Sequence, residues 1–202
     1  MTATATRPAS APEPPRRRRS RAVLLAAAAV GVVVVALIVL LATSQKPEDS
    51  ADSPLLGHPA PSLTGTTLDG KPFSLSSLQG KFALVNFFGS WCQPCQQEAP
   101  ELRKWALEHN AKGDAELVNV VFNDTPDKVR AFFAGHGGAS WPVLSGNTDS
   151  MALDWGVSKA PETFLVTPNG TVVWKTIAPV TQDELDKLLA TGSDAATTTT
   201  VK

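Results

Sequence analysis

Eight residues in the middle of the chain, Lys81 to Phe88 (KFALVNFF), form a nearly continuous apolar run. A strand with one wet face alternates polar and apolar side chains; an unbroken run is that of a strand buried on both faces. Such a strand has to lie inside a sheet that other layers cover. Just past its end come Cys92 and Cys95, the only two cysteines of the 202 residues. Helix is expected to follow, through CQQEAPELRKWALEHNAK to about Gly113, with a kink at Pro100.

The rest of residues 57–190 alternates strand and helix signals. SLTGTTLDGKPFSL reads as a hairpin turning at Asp69-Gly70, and AELVNVVF as a second buried strand. TPDKVRAFFAGHG reads as a helix with Pro126 at its first position. WPVLSG and SMALDWGV suggest a short strand and a short helix. ETFLVTPNGTVVWKTI suggests a hairpin turning at Pro168-Asn169-Gly170. TQDELDKLLATG is an amphipathic helix that a capping box of Thr181 and Glu184 starts and Gly192 is expected to stop. The sum is a mixed α/β sheet flanked by helices.

Outside this domain the composition changes. Ala22 to Ala42 is 21 residues without a charge. As a helix it would be roughly 30 Å long, enough for a bilayer core. A cleaved signal peptide would have a shorter apolar core of about 7–15 residues and small residues at a cleavage site; Leu40-Leu41-Ala42 is a poor one. Six arginines lie in residues 1–21, five of them between 16 and 21, while Lys46 is the only early cation after the run. The positive-inside rule keeps that basic tail in the cytoplasm and exports the chain beyond residue 42. The expected organisation is therefore a disordered tail (1–21), a single-pass anchor (22–42), a polar linker (43–56), the domain (57–190) and a disordered end (191–202). Net charge is −1 overall, so with Glu13 offsetting one of the six arginines the chain beyond residue 21 carries about −6. That balance argues against nucleic acid as a partner.

Two cysteines are too few for a disulfide scaffold. A zinc site needs about four ligands, and His58, His109 and His136 are scattered. A Cys–His hydrolase would have no use for a second cysteine at this spacing. A purely structural disulfide would close a tiny loop and stabilise little. Redox exchange accounts for more. Cys92 opens a helix, whose free N–H groups and dipole stabilise a thiolate. Cys95, one turn on, is placed to resolve a mixed disulfide on Cys92, which suggests an exposed nucleophile and a shielded partner.

WCQPC after LVNFFGS resembles the active site of the thioredoxin fold. WCQPCQQEAP, GVSKAPETFLVTPNG and SLTGTTLDGKPFSLSSLQGK together resemble its membrane-anchored extracytoplasmic branch, the TlpA-like proteins that include ResA and DsbE/CcmG. The resemblance covers residues 57–190. It implies a thioredoxin-like α/β fold with an N-terminal hairpin and an inserted strand–helix pair, AELVNVVFNDTPDKVRAFFAGHG. It implies Cys92 as attacking thiolate, Cys95 as resolving thiol, Trp91 packed beside the site, and Gln93 and Pro94 setting the helix start and the potential. Pro161 would be a cis-proline facing the disulfide, with the Ala160 backbone pairing with substrate and Glu162 as a second acidic contact. Asn86 stands where thioredoxin has a titratable aspartate, and Glu98 matches the branch's glutamate near the site; a carboxylate there would raise the thiol pKa values.

By the same resemblance the chain would need no cofactor and would reduce disulfides of apocytochrome c or related exported proteins. It would draw electrons from a membrane thiol reductant such as a DsbD/CcdA-like protein. Two other readings stay open at this point: an oxidant that forms disulfides in exported proteins, and a membrane-tethered copper chaperone, whose relatives have a wider cysteine spacing and a placed histidine. A peroxidase would have a threonine ahead of Cys92 that this chain lacks.

Overall fold

The computed structural model describes residues 21–43 and 53–198, with side chains described for 23, 25–37 and 53–192. Residues 1–20 of the expected tail (1–21), 44–52 of the expected linker (43–56) and 199–202 of the expected end (191–202) lie outside the described residues. The chain divides into two compact units, residues 1–46 and 47–202. Among the described residues the first contains one helix, α1 (Arg21–Thr43), whose described side chains are all exposed. Counted over the described residues, no helix is long and apolar enough to cross a membrane.

The second unit is built on a seven-stranded sheet in the order β2-β1-β5-β4-β3-β6-β7. Its strands are β1 (Thr64–Thr67), β2 (Pro72–Ser74), β3 (Phe82–Phe88), β4 (Ala115–Val121), β5 (Val143–Ser145), β6 (Glu162–Val166) and β7 (Val172–Thr176). Helices α2 (Gln93–Lys112), α3 (Pro126–Gly135), α4 (Asp149–Asp154) and α5 (Gln182–Thr198) complete the unit, with a short 3-10 turn at Leu75–Leu78. β3, β4 and β5 run parallel; β1–β2, β1–β5, β3–β6 and β6–β7 pair antiparallel. The sheet is thus mixed, and β3 lies inside it with all seven residues buried.

Alternation along β3 splits the core in two. Phe82, Leu84 and Phe88 join a cluster with Leu102 and Trp105 of α2, Phe132 and Phe133 of α3, and Leu185 and Leu189 of α5. Ala83, Val85 and Phe87 join one with Trp155, Phe164 and Leu63 on the opposite face. The fifth residue of β3, Asn86, therefore points to the α2 face. Its register partners Asn119 in β4 and Thr163 in β6 lie beside it, and Thr163 pairs on to Thr176 in β7. A polar stripe crosses four strands beneath the start of α2.

α2 runs unbroken through Pro100 and ends at Gly113, whose φ of 74° and N–H bond to the His109 carbonyl close the helix in the left-handed region. α5 begins with the capping box: Thr181 N and Oγ1 donate to Glu184 Oε2 at 2.8 and 2.7 Å. It does not stop at Gly192 but continues to Thr198. A Cβ at Gly192 would meet the Phe82 ring at 3.3 Å, so the glycine's use is close packing. The folded unit also starts earlier than residue 57, since Leu55 and Leu56 pack on the second cluster and Gly57 N–H bonds to the Val172 carbonyl.

Candidate active site

The short turn from β3 to α2 is held by the neighbouring loop after β4. Ser90 N–H donates to Asp124 Oδ2 at 2.6 Å, and Trp91 Nε1 donates to the Asn123 carbonyl at 3.0 Å. Partial burial raises the Asp124 carboxyl, but the bonds from Ser90 and Thr125 outweigh it and hold the group below its usual range. Gly89 is required here. A Cβ on it would lie 2.5 Å from Trp91 Nε1, so only glycine lets the indole fold back over the turn. Trp91 stays 54% exposed beside the cysteines.

Cys92 is the N-cap of α2, in extended conformation, and its Sγ accepts the Cys95 N–H at 3.2 Å. Pro94 fits the first turn because its missing N–H would have had no partner. Gln93 and Pro94 are both exposed. Cys92 and Cys95 form a disulfide, with Cα atoms 5.2 Å apart. The expected contrast of an exposed and a shielded cysteine is absent in this state: Cys92 is 3% and Cys95 2% exposed. Both belong to the α2-side cluster, on which Ala99 and Ala160 also pack.

Glu98, one turn after Cys95, is turned into the protein and is 2% exposed. Its Oε1 accepts from Asn86 Nδ2 at 2.9 Å and its Oε2 from Val180 N–H at 3.2 Å. Asn86 Nδ2 also donates to Thr163 Oγ1 at 2.9 Å. Behind it, Asn119 Nδ2 donates to Asn86 Oδ1 and Trp141 Nε1 donates to Asn119 Oδ1. Burial pushes the Glu98 carboxyl up to about 7, against the lowering effect of the Asn86 and Val180 bonds. A buried carboxyl near neutrality beside a dithiol can hold or release a proton at working pH.

The Ala160–Pro161 bond is cis. Since Asn86 pairs with Thr163 and Phe87 with Glu162, the register carried one step further sets Pro161 opposite Phe88, at the root of the cysteine turn. Ala160 is half-buried and Pro161 buried. Glu162 departs from expectation. It is 1% exposed and cannot meet a substrate. Its Oε1 accepts the Ser158 and Lys159 N–H groups at 2.9 and 3.2 Å, and its Oε2 faces Lys175 Nζ at 2.7 Å. It ties down the loop that presents Pro161. Among the described residues no group of three or more His, Cys, Asp or Glu is gathered as metal ligands would be.

Sequence reading missed Gly89, Asn123, Asp124, Asn119 and Lys175. Only Asn119 left a local signal, as a second asparagine breaking an apolar run.

A model of the AhpC/TSA family matches residues 56–175. The chain is 34% identical over 160 residues to the thiol:disulfide interchange protein HelX of Rhodobacter capsulatus, covering 76% of this chain and 88% of HelX. It is 31% identical over 134 residues to the thiol-disulfide oxidoreductase ResA of Bacillus thuringiensis, 66% of this chain and 76% of ResA. Among solved structures, a thioredoxin family thiol:disulfide interchange protein of Chlorobium tepidum superposes with a TM-score of 0.61 at 28% identity, over 70% of this chain and 99% of its own. MTB DsbF gives 0.59 at 28%, over 64% and 94%. With the Cys92–Cys95 disulfide at the head of α2 and relatives named as thiol–disulfide oxidoreductases, the chain belongs to the AhpC/TSA family as a thioredoxin-fold thiol–disulfide oxidoreductase.

Proposed function

We propose that the enzyme works outside the cytoplasm as a reductant of disulfides in exported proteins, with apocytochrome c, whose cysteines must be thiols before haem attachment, as the leading substrate. In the reduced protein the Cys92 thiolate, at the N-terminus of α2, attacks a substrate disulfide. A mixed disulfide forms and one substrate sulfur leaves as a thiolate. Cys95 gives its proton to the Glu98 carboxylate and attacks Cys92 Sγ. The second substrate sulfur leaves, and the Cys92–Cys95 disulfide forms. Two electrons pass from the enzyme to the substrate. A membrane thiol reductant of the DsbD/CcdA type restores the dithiol. Exposed Trp91 and the Ala160 backbone offer the contact surface, while Gln93 and Pro94 at the helix start tune the potential.

The observation that carries the direction is Glu98, a buried carboxyl lining one cavity with Cys95. Once ionised, its charge opposes a neighbouring thiolate. That destabilises the reduced form relative to the disulfide and makes the protein a better electron donor. The anchor reading is supported by the sequence, an uncharged run of 21 residues from Ala22 to Ala42 with the arginine cluster on its N-terminal side.

A redox titration of Cys92–Cys95 against dithiothreitol or glutathione tests the direction. A potential near the roughly −120 mV of strong oxidants would overturn it. Cys95→Ser should trap substrate on Cys92 in envelope extracts, and Cys92→Ser should trap none.

A further inference from the structure

We propose that His136, at the C-cap of α3, is the outer station of a proton path that serves Cys95 through Glu98 and a single water between them. The inference rests on the exchange chemistry above and adds the route its proton takes.

A cavity of about 20 Å³ lies between α2 and α3, and Cys95, Glu98, Asn86, Asn119 and His136 are on its wall. A water needs roughly 10–15 Å³ of such space and two or more polar partners. The volume admits one water, and the wall supplies the partners.

The buried amides cannot carry the proton. Trp141 donates to Asn119, Asn119 to Asn86, and Asn86 to Glu98, so every donor points toward the carboxylate and none of the three titrates. Val180 adds another fixed N–H on the second oxygen. The chain of bonds holds the carboxylate in place; it offers no exit.

The titratable and charged groups on the cavity are Cys95, Glu98 and Arg103 from α2 and His136 from the end of α3. The strands and the Trp141 segment contribute only amide, indole and apolar groups to its wall. Arg103 stays protonated in proteins, and its Nε is committed to the Gly137 carbonyl at 3.1 Å. His136 remains. Its Nδ1 lies 2.7 Å from the Phe132 carbonyl, which can only accept, so Nδ1 carries a hydrogen. Its ring stacks on Phe132 at 4.3 Å. The nitrogen left to take or give a proton is Nε2, on a half-buried residue at the end of a helix. Histidine is the side chain suited to that exchange around neutral pH.

When Cys95 attacks Cys92 in the mixed disulfide, its proton moves to Glu98, then by the water to His136 Nε2, and from there to solvent. Reduction of the disulfide runs the same path inward. His136 touches no reacting sulfur and acts through Glu98.

The test is single-turnover oxidation of the reduced full-length chain by glutathione disulfide, followed by tryptophan fluorescence from pH 6 to 8 in weak buffer. His136→Gln should slow the disulfide-forming step about tenfold or more, the scale of a lost proton-transfer group. The midpoint potential should stay unchanged, and added imidazole should restore the rate. Ala99→Val, which narrows the cavity from α2, should slow the same step without imidazole rescue. A wild-type rate and pH profile in His136→Gln would overturn the path, as would a slowing matched by a shifted potential that imidazole does not reverse. A wild-type chain that fails to exchange with glutathione disulfide at all would instead sink the exchange chemistry beneath it.

Discussion

Titration of Glu98 should be visible in the stability of the oxidised protein. Its carboxyl lies at about 7 in the fold against an ordinary 4.5, because burial penalises the ionised form. The folded state therefore keeps a proton that the unfolded chain releases. Stability from this group is full below pH 4.5 and is lost as pH rises through 7. At 1.36 kcal/mol per pH unit the loss amounts to about 3 kcal/mol. Glu98→Gln removes the titration. The glutamine amide sets a donor against either Asn86 Nδ2 or Val180 N–H, a cost of about 1–3 kcal/mol that does not vary with pH. Other carboxyls, such as the raised Glu116, titrate alike in both proteins and cancel. Guanidinium unfolding followed by tryptophan fluorescence should show wild type losing about 3 kcal/mol relative to the variant between pH 4.5 and 8. Parallel curves over that range would mean that Glu98 is ionised at its ordinary pKa and is no proton carrier near neutrality.

Lys175→Met strands the buried Glu162 carboxylate and should cost about 3–5 kcal/mol, with Glu162→Gln in the same chain recovering part of it in thermal unfolding. Gly89→Ala drives a methyl into the Trp91 indole, so the tryptophan emission of the folded protein should change and stability should fall by about 1–3 kcal/mol. His109 is buried between Asp114 at 2.8 Å and Asp186 at 3.0 Å, joining the end of α2 to α5. His109→Ala should cost about 2–3 kcal/mol and speed amide exchange in α5 ahead of the central strands.

Much of the site was legible because its signals are local. The apolar run of β3, the Cys92/Cys95 spacing and Pro94 define where the helix starts, and Thr181 and Glu184 carry their own cap. Gly192 misled for a related reason. Glycine is a common helix stop, but here contact with Phe82, far away in sequence, favours a residue without a side chain inside a continuing helix. Glu162 misled because adjacency to Pro161 in sequence says nothing about which face of β6 a side chain takes. The residues that pin the cysteine turn, Asn123 and Asp124, sit more than 30 positions from Ser90 and Trp91 and are brought there by the parallel pairing of β3 with β4.

The fold class, the redox pair, the helix that activates it and the charge pattern around the uncharged run can all be read along the chain. These come from residue type, spacing and order along the chain. The protonation and burial of the site depend instead on how distant segments pack. Glu98 carries a proton near neutrality because α2 carries it into the protein and against Asn86 and Val180, and no property of a glutamate in isolation predicts that. The same holds for Cys92, whose sulfur is buried in the disulfide by a cluster drawn from three helices and the sheet. Burial and hydrogen bonding are relations between distant segments, and proton affinity at this site depends on both.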